Sequence, residues 1–210
     1  MQIISNIIFD YGNVIFDIDF RLAQQAFTDL GVKDVASLYG HSGQDRLFDD
    51  FDKGTINASE FRDGIRRLAS KPDLTDEQID GAWNALLLGV SEGNHELLMQ
   101  CMERYRTFLL SNNNEIHYAW ILDHLRNEHG LTGNDGFFEK SYYSHLVGMR
   151  KPAPEIFELV IRENNLLAEE TLFIDDSPQH LDAARALGIQ TALLSSPKEL
   201  GALLQSRGLL

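Results

Sequence analysis

The sequence predicts an α/β protein: a doubly wound, mostly parallel, Rossmann-like sheet with a helical segment inserted early in the chain. Three observations carry this expectation. A mostly apolar run starting at Ile3 ends on Asp10 and turns through Gly12-Asn13, the pattern of a buried opening strand. From Asn94 onward, short apolar segments alternate with helix-length ones, the order that gives a parallel sheet. Between Gly31 and about Gly93, capped helical patterns follow one another and no convincing buried strand is found.

After the opening strand, Asp17-Ile18-Asp19 leads into a helix from about Phe20 to Leu30, stopped by Gly31. Asn57-Ala58-Ser59-Glu60 has the form of a capping box and opens a helix with Phe61, Ile65 and Leu68 on one side. Thr75-Asp76-Glu77-Gln78 is a second such box, opening a helix through Ile79, Ala82, Trp83 and Leu86. A helix over about Asn94 to Arg104 precedes a strand from Arg106 to Ser111, and a helix from about Glu115 to Glu128 follows. Phe137 to Leu146 holds one or two short extended segments. Pro154 sits near the first turn of a helix reaching Asn164. Thr171 to Asp175 is a strand, Pro178 to Leu187 a helix ended by Gly188, Gln190 to Leu194 the last clear strand and Pro197 to Gln205 the last helix. Residues 1–16 and 93–210 are expected to form one α/β domain, with 17–92 as a helical domain inserted in it.

At 210 residues the chain has room for one sizeable core, or a core with a smaller insert. Its formal net charge of -14, from 32 acids against 18 Lys and Arg, argues against nucleic acid and anionic membrane surfaces as partners. Small anionic substrates stay open, because a metal and one lysine can reverse the field locally. The single cysteine, Cys101, excludes an internal disulfide; among Leu97, Leu98, Met99 and Met102 it reads as a buried helical thiol. No apolar run approaches membrane-spanning length, and no basic region followed by an apolar core opens the chain, so a cytoplasmic protein is expected.

Four stretches set chemically useful side chains against an apolar segment or a turn. Asp10 falls at the carboxyl end of the first strand, the edge where open α/β sheets bind ligands; alone, it serves equally as a strand end or a helix cap. Ser111 and Asn112 stand where a strand gives way to a helix, and a hydroxyl beside a helix N-terminus can hold phosphate oxygens, although a lone Ser is more often only a cap. Lys151, in Gly148-Met149-Arg150-Lys151-Pro152, offers an ammonium that would balance developing charge, or else a solvated surface charge. Asp175 and Asp176 are adjacent carboxylates, and a cation is the natural means of keeping both ionised. Asp175-Asp176-Ser177-Pro178 is also good helix-start chemistry, with Ser177 as cap, and both roles are compatible.

Other signals are discounted. Asp50-Phe51-Asp52-Lys53-Gly54-Thr55 resembles the start of a calcium loop, but Thr55 stands where Gly is needed and Phe61 where Glu is needed. The seven histidines show no metal-ligand spacing. His117 is expected to be solvated on its helix, with lining of a pocket as the second option. Arg150 is expected to make a surface or cap contact, and Trp83 and Trp120 to lie in the core.

Acid, hydroxyl, ammonium and acid pair, in that order from Asp10 to Asp176, resemble the four-motif signature of the haloacid dehalogenase (HAD)-like hydrolase superfamily. One such motif is a weak signal; four in order is a strong one, and the resemblance covers nearly the whole chain. It implies that residues 17–92 form a cap domain. It implies that Asp10 is a nucleophile that forms an aspartyl-phosphate, splitting phosphate-ester hydrolysis into two steps. It implies Mg²⁺ held by Asp10, the backbone carbonyl of Gly12, and the pair Asp175 and Asp176, one directly and the other directly or through water. Lys151 would balance charge, Ser111 and the Asn112 amide would orient the phosphoryl group, and the partner would be a small phosphorylated metabolite.

The pattern departs from the superfamily at one place. Most HAD phosphatases carry a second Asp two residues after the nucleophile, which protonates the leaving oxygen and later activates water; here that position is Gly12. General acid–base help is worth roughly 10²–10⁴ in rate, so the departure implies slow turnover, good leaving groups, or another residue in that role. Asp-x-Gly-Asn-Val resembles a branch that includes an α-D-glucose-1-phosphate phosphatase, which makes a sugar 1-phosphate or similar activated ester the expected substrate. Two alternatives stand beside this reading. A 2-haloacid dehalogenase is disfavoured by the acid pair, because the enzymes it would resemble work without a metal. A phospho-ligand binding protein that has lost catalysis is motivated by Gly12 and opposed by Asp10, Lys151 and Asp176.

Overall fold

In the opening strand, β1 (Asn6–Phe9), side chains alternate between the two faces of a sheet. Ile7 and Phe9 join one apolar cluster and Ile8 another, and all three are fully buried. A strand apolar on both faces belongs inside a parallel sheet covered on both sides. The computed structural model, which describes residues 3–35, 39–40, 43–44 and 46–210, bears this out.

The chain continues through β2 (Phe16–Ile18), α1 (Phe20–Leu30), β3 (Tyr39–Gly40), β4 (Gly43–Gln44), α2 (Arg46–Asp52), α3 (Ala58–Ala69), α4 (Asp76–Asn84) and β5 (Leu87–Val90). It then alternates as α5 (Asn94–Met102), β6 (Arg106–Ser111), α6 (Glu115–His129), β7 (Lys140–Tyr143), α7 (Ser144–Val147), α8 (Pro154–Glu163), β8 (Thr171–Asp175), α9 (Pro178–Ala186), β9 (Gln190–Leu193) and α10 (Leu200–Ser206). Five strands form a wholly parallel sheet in the order β7-β6-β1-β8-β9. One face packs on α5, α6 and α10 through Leu98, Leu125 and Leu204; the other packs on α8 and α9 through Phe157 and Leu181. The strand order reverses beside β1, the place where open α/β sheets leave a crevice at their carboxyl edge. Among the described residues, no helix is long and apolar enough to cross a membrane.

Gly31 ends α1 with φ 99°, and Asn57 and Thr75 form the two capping boxes expected. Cys101 is a buried thiol in α5. The inserted helices close over a cluster of aromatic rings, Phe27, Phe48, Phe61 and Trp83, with ring centroids 5.3–5.8 Å apart around Trp83. Truncating a buried Trp of this kind costs about 3–5 kcal/mol.

Three expectations need correction. The region between Gly31 and Gly93 does contain a strand of consequence: β5 pairs antiparallel with β2, with Phe16 opposite Val90 and Ile18 opposite Leu87. Its four residues follow directly on a helix and include Gly89, so apolar periodicity could not separate it from the helical run. Trp120, expected in the core, packs against its margin and stays half-buried, resting on Phe16 and His124. The last helix begins with a 3-10 turn at Pro197–Glu199 before becoming α-helical.

Candidate active site

Asp10 directly follows β1, Ser111 is the last residue of β6 and Asp175 the last of β8. Because β6 and β8 flank β1, parallel register brings acid, hydroxyl and acid to one edge of the sheet. The Asp10 N–H donates to the Ile174 carbonyl at 2.9 Å, which pins the turn after β1 to β8.

Lys151 is fully buried at the same point, with Nζ 2.7 Å from Asp10 Oδ1 and 2.8 Å from Asp175 Oδ2. A buried ammonium is costly unless paired, and here two carboxylates share it. Burial acts to lower the Lys151 pKa, but Asp10 and Asp175 hold it above the ordinary lysine range. Burial likewise acts to raise Asp175, but Lys151 and His180 hold its carboxyl well below the usual range. For Asp10 burial wins: opposed by Lys151 and reinforced by Asp175 and Asp176, it pushes the carboxyl up to about 8.

The side chain of Asn112 fixes the lysine loop. Its Oδ1 accepts the Lys151 N–H and its Nδ2 donates to the Lys151 carbonyl, both at 2.9 Å. The sequence suggested only the main-chain amide of Asn112; this clamp depends on two residues 39 apart in the chain coming together. Asp175 is anchored as firmly, accepting the Ser177 N–H at 2.7 Å and facing His180 Nδ1 at 3.0 Å. Ser177 occupies the N-cap position of α9, but its hydroxyl makes no capping bond.

One oxygen from each of Asp10, Asp175 and Asp176 lies within 4.8 Å of the others. This all-oxygen set suits a hard cation such as Mg²⁺, which takes one or two carboxylates and keeps several waters. A cation there would offset the repulsion among the three acids. Gly12 lines the same cavity, and a Cβ at this position would lie 3.0 Å from Ile18 Cδ1. Ile18, brought in by β2, thus covers the space into which a side chain at position 12 would grow.

The cavity has a volume of about 240 Å³ and is also lined by Asp52, His117 and Arg150. His117 is 6% exposed, which corrects the expectation of a solvated helix position. It stacks on Trp83, with centroids 4.4 Å apart, and its Nε2 lies 3.1 Å from the Trp83 carbonyl. Asn114, the N-cap of α6, ties the two regions together: its Oδ1 accepts from Trp83 Nε1 and the His117 N–H, and its Nδ2 donates to Asp52. With Asn114 Nδ2 beside His117 Nδ1 and a carbonyl beside Nε2, this network assigns a neutral imidazole protonated at Nε2. Burial pushes its pKa down to about 4. The run Asn112-Asn113-Asn114 before a helix was the available signal for this junction. Arg150, expected to make a surface or cap contact, is partly buried in the cavity wall and pairs with Asp49 on α2 at 2.8 Å.

A doubly wound sheet whose carboxyl edge gathers a buried lysine among three acids defines a class, that of hydrolases with an acidic, metal-accepting centre at the strand ends. The chain belongs to the haloacid dehalogenase-like hydrolases, whose family model matches residues 4–188. It is 34% identical over 188 residues to a D-ribitol-5-phosphate phosphatase of Bacteroides thetaiotaomicron, covering 90% of each chain. A HAD family enzyme from the same organism, solved as a magnesium complex, superposes with a TM-score of 0.86 at 33% identity, over 96% of this chain and 98% of that one. A HAD-like family hydrolase from Porphyromonas gingivalis superposes with a TM-score of 0.84 at 31% identity, over 98% of each chain.

Proposed function

We propose that this protein is a Mg²⁺-dependent phosphatase of small phosphorylated metabolites, acting on phosphate esters of sugars or polyols. The observation that carries the reading is the convergence of Asp10, Asp175 and Asp176 on one point, with Lys151 Nζ 2.7 Å from Asp10. The phosphatase relative, 34% identical over 90% of the chain, supports the reaction class, and the magnesium complex of the B. thetaiotaomicron HAD enzyme supports the cofactor.

In this reading Asp10 attacks phosphorus in line. The Asp10–phosphorus bond forms as the bond to the ester oxygen breaks, and water then releases inorganic phosphate and restores Asp10. Lys151 balances the carboxylate and phosphoryl charge, while Ser111 and the Asn112 amide orient the phosphoryl oxygens. Asp10, the Gly12 carbonyl and Asp176 would hold Mg²⁺, with Asp175 near it directly or through water. The ion, when bound, screens the repulsion between carboxylate and phosphate. Residues 17–92 act as a cap over residues 1–16 and 93–210, excluding bulk water from the site. The setting is cytoplasmic and the partner is a small molecule, not nucleic acid, in keeping with the net charge of -14 and the single buried thiol.

The relative acts on the phosphate of a primary alcohol, so the sugar 1-phosphate expectation becomes one arm of the test. Phosphate release would be measured from sugar 1-phosphates, sugar and polyol 5- and 6-phosphates and a nitrophenyl ester, with Mg²⁺, with EDTA and with Asp10→Asn. Activity that disappears in both controls is expected. Turnover surviving Asp10→Asn would overturn the nucleophile assignment, and saturable binding without turnover by the wild type would return the chain to the binding-protein alternative.

A further inference from the structure

The helices α1 to α4 lie between β2 and β5 in the chain, so the β2–β5 ribbon carries both connections to the insert. Three imidazoles gather at the base of this ribbon: His95 from the first turn of α5, and His124 and His129 from α6. The His95 and His129 ring centroids are 4.8 Å apart, and those of His124 and His129 are 5.6 Å apart. His124 packs on both strands. Its ring meets Phe16 of β2 edge-on at 5.5 Å, and a Cβ on Gly89 of β5, where φ is +126°, would lie 3.0 Å from its Cε1. The residues just before His95 are fastened to the chain that enters β2. The Ser91 N–H donates to the Ile15 carbonyl at 3.0 Å, and Asn94 Nδ2 donates to the carbonyls of Val14 and Ile15 at 3.2 and 3.3 Å.

The cluster is built for neutral rings. His95 Nε2 and His124 Nε2 are buried and, among the described residues, have no hydrogen-bond partner. A protonated imidazole carries an N–H on both nitrogens, so the charged ring would hold a buried Nε2–H with no acceptor. It would also set a like charge beside another ring able to take one. Much of the remaining surface is aromatic: His95 stacks on Phe137 with centroids 4.5 Å apart, and His124 on Trp120 at 5.2 Å. Two acids act the other way, Glu96 of α5 on His95 and Glu128 of α6 on His124. From the ribbon, β2 adds Asp17, paired opposite Gly89, and β5 adds no ionisable side chain. The loop that carries Phe137 adds Asp135. Burial, followed by His129, outweighs Glu96 and pushes the His95 pKa down to about 4. Burial and His129 likewise lower that of His124.

We propose that His95, His124 and His129 form a proton-sensitive joint at the base of the β2–β5 ribbon, which releases the ribbon from α5 and α6 on acidification. A ring that leaves the cluster returns to an ordinary pKa near 6.5. Between that value and the lower one of the packed ring, protons favour the opened joint. With His95 at about 4 when packed, this ring alone raises the open fraction about tenfold between pH 7.5 and 5.5. The insert keeps its own aromatic core around Trp83 and loses only its fixed seat at the ribbon. None of the three histidines lines the cavity, and the joint does not depend on the phosphatase reading.

Amide hydrogen exchange at pH 7.5 and 5.5, read by mass spectrometry and corrected for the intrinsic rate at each pH, measures this opening. Peptides covering β5 and the start of α5 should lose about tenfold in protection on acidification, while those covering β1 hold theirs within about twofold. His95→Phe combined with His124→Gln keeps a ring on Phe137 and removes two of the three proton sites. In that variant the β5 protection should change by less than about twofold over the same range. An unchanged β5 in the wild type, an equal loss at β1, or the same loss in the double variant would overturn the joint. If the double variant fails to fold, NMR titration of the wild-type histidine rings decides the matter. His95 should then titrate below about pH 5.5, and a midpoint above that would overturn the joint, because too little proton-linked force would act on the ribbon.

Discussion

At the sheet edge, Asp10 and Ser111 line the cavity and Asp175 lies buried beside Lys151, all three at the ends of adjacent strands. On the facing wall, Asp52 comes from the end of a short helix of the insert, Leu87 from a strand that among the described residues pairs with β2, and His117 from the first turn of α6 in the α/β part. The first group is held by parallel register, where a shift of one residue would turn every side chain to the other face. The second is held by packing around Trp83 and by the hydrogen bonds of Asn114. Register holds a reacting group within fractions of an ångström, whereas a packed wall can exchange side chains without disturbing it. The division fits a molecule in which bond-breaking is constant and substrate choice is adjustable.

The strongest way to break this comparison is Asp10→Asn. It removes the proposed nucleophile while keeping size and burial, and phosphate release should fall by on the order of 10³ or more. A loss of less than about tenfold would mean that the sheet edge is not where the ester bond breaks. Next is Lys151→Met, which acts on stability as much as on rate. It leaves two buried carboxylates, Asp10 and Asp175, without their shared ammonium, and breaking such a group costs about 3–5 kcal/mol. Urea denaturation in EDTA should show that loss. Added Mg²⁺ should recover part of it, because the ion replaces some of the missing positive charge.

The same division explains what the sequence disclosed. Each sheet-edge group sits beside a short apolar run or a turn, so local pattern placed Asp10, Ser111, Lys151 and the Asp175-Asp176 pair within a residue or two of where they lie. The facing wall carries no such mark. Asp52 was visible only inside a failed calcium-loop pattern, and its partners Asn114 and Arg150 are 62 and 98 positions away. His117 reads as an ordinary helical residue until Trp83, 34 positions earlier, is packed on its ring. The Asn112 clamp on Lys151 likewise needs the closed fold. Local pattern reveals an element and its ends; it does not reveal which side chains meet across the chain.

The packed wall can be tested through pH. His117 has a folded pKa of about 4, against about 6.5 for an unperturbed histidine. Between those values the unfolded chain binds the extra proton, so stability falls as pH drops from about 6.5 to 4. At about 1.4 kcal/mol per pK unit, this histidine accounts for at most about 3–4 kcal/mol of acid destabilisation. His117→Gln should be less stable than wild type at pH 7, because it disturbs the Trp83 stack, but should lose less on acidification. His95 is also pushed down to about 4 by burial, so the informative quantity is the difference between the two pH profiles of melting temperature. Parallel profiles would show that His117 is not held neutral by the packed wall.

The smallest effect should come at Gly12, where the turn after β1 meets the insert. Gly12 belongs to the turn after β1, but the space beside it is filled by Ile18 of β2. Restoring an acid with Gly12→Asp puts a Cβ 3.0 Å from Ile18 Cδ1, so this neighbour must yield by a few tenths of an ångström and the new carboxylate is poorly placed. The single substitution should therefore change turnover of an alkyl phosphate by less than about tenfold. Adding Ile18→Ala opens the space, and a correctly placed acid is worth roughly 10²–10⁴; a gain of about tenfold over the single variant would be enough to register. The gain should appear with alkyl esters and be nearly absent with the nitrophenyl ester, whose leaving oxygen needs no proton. Equal gains on both esters would show that Ile18 limits access to the cavity and not the delivery of a proton, and the missing acid would then have to be sought elsewhere in its wall.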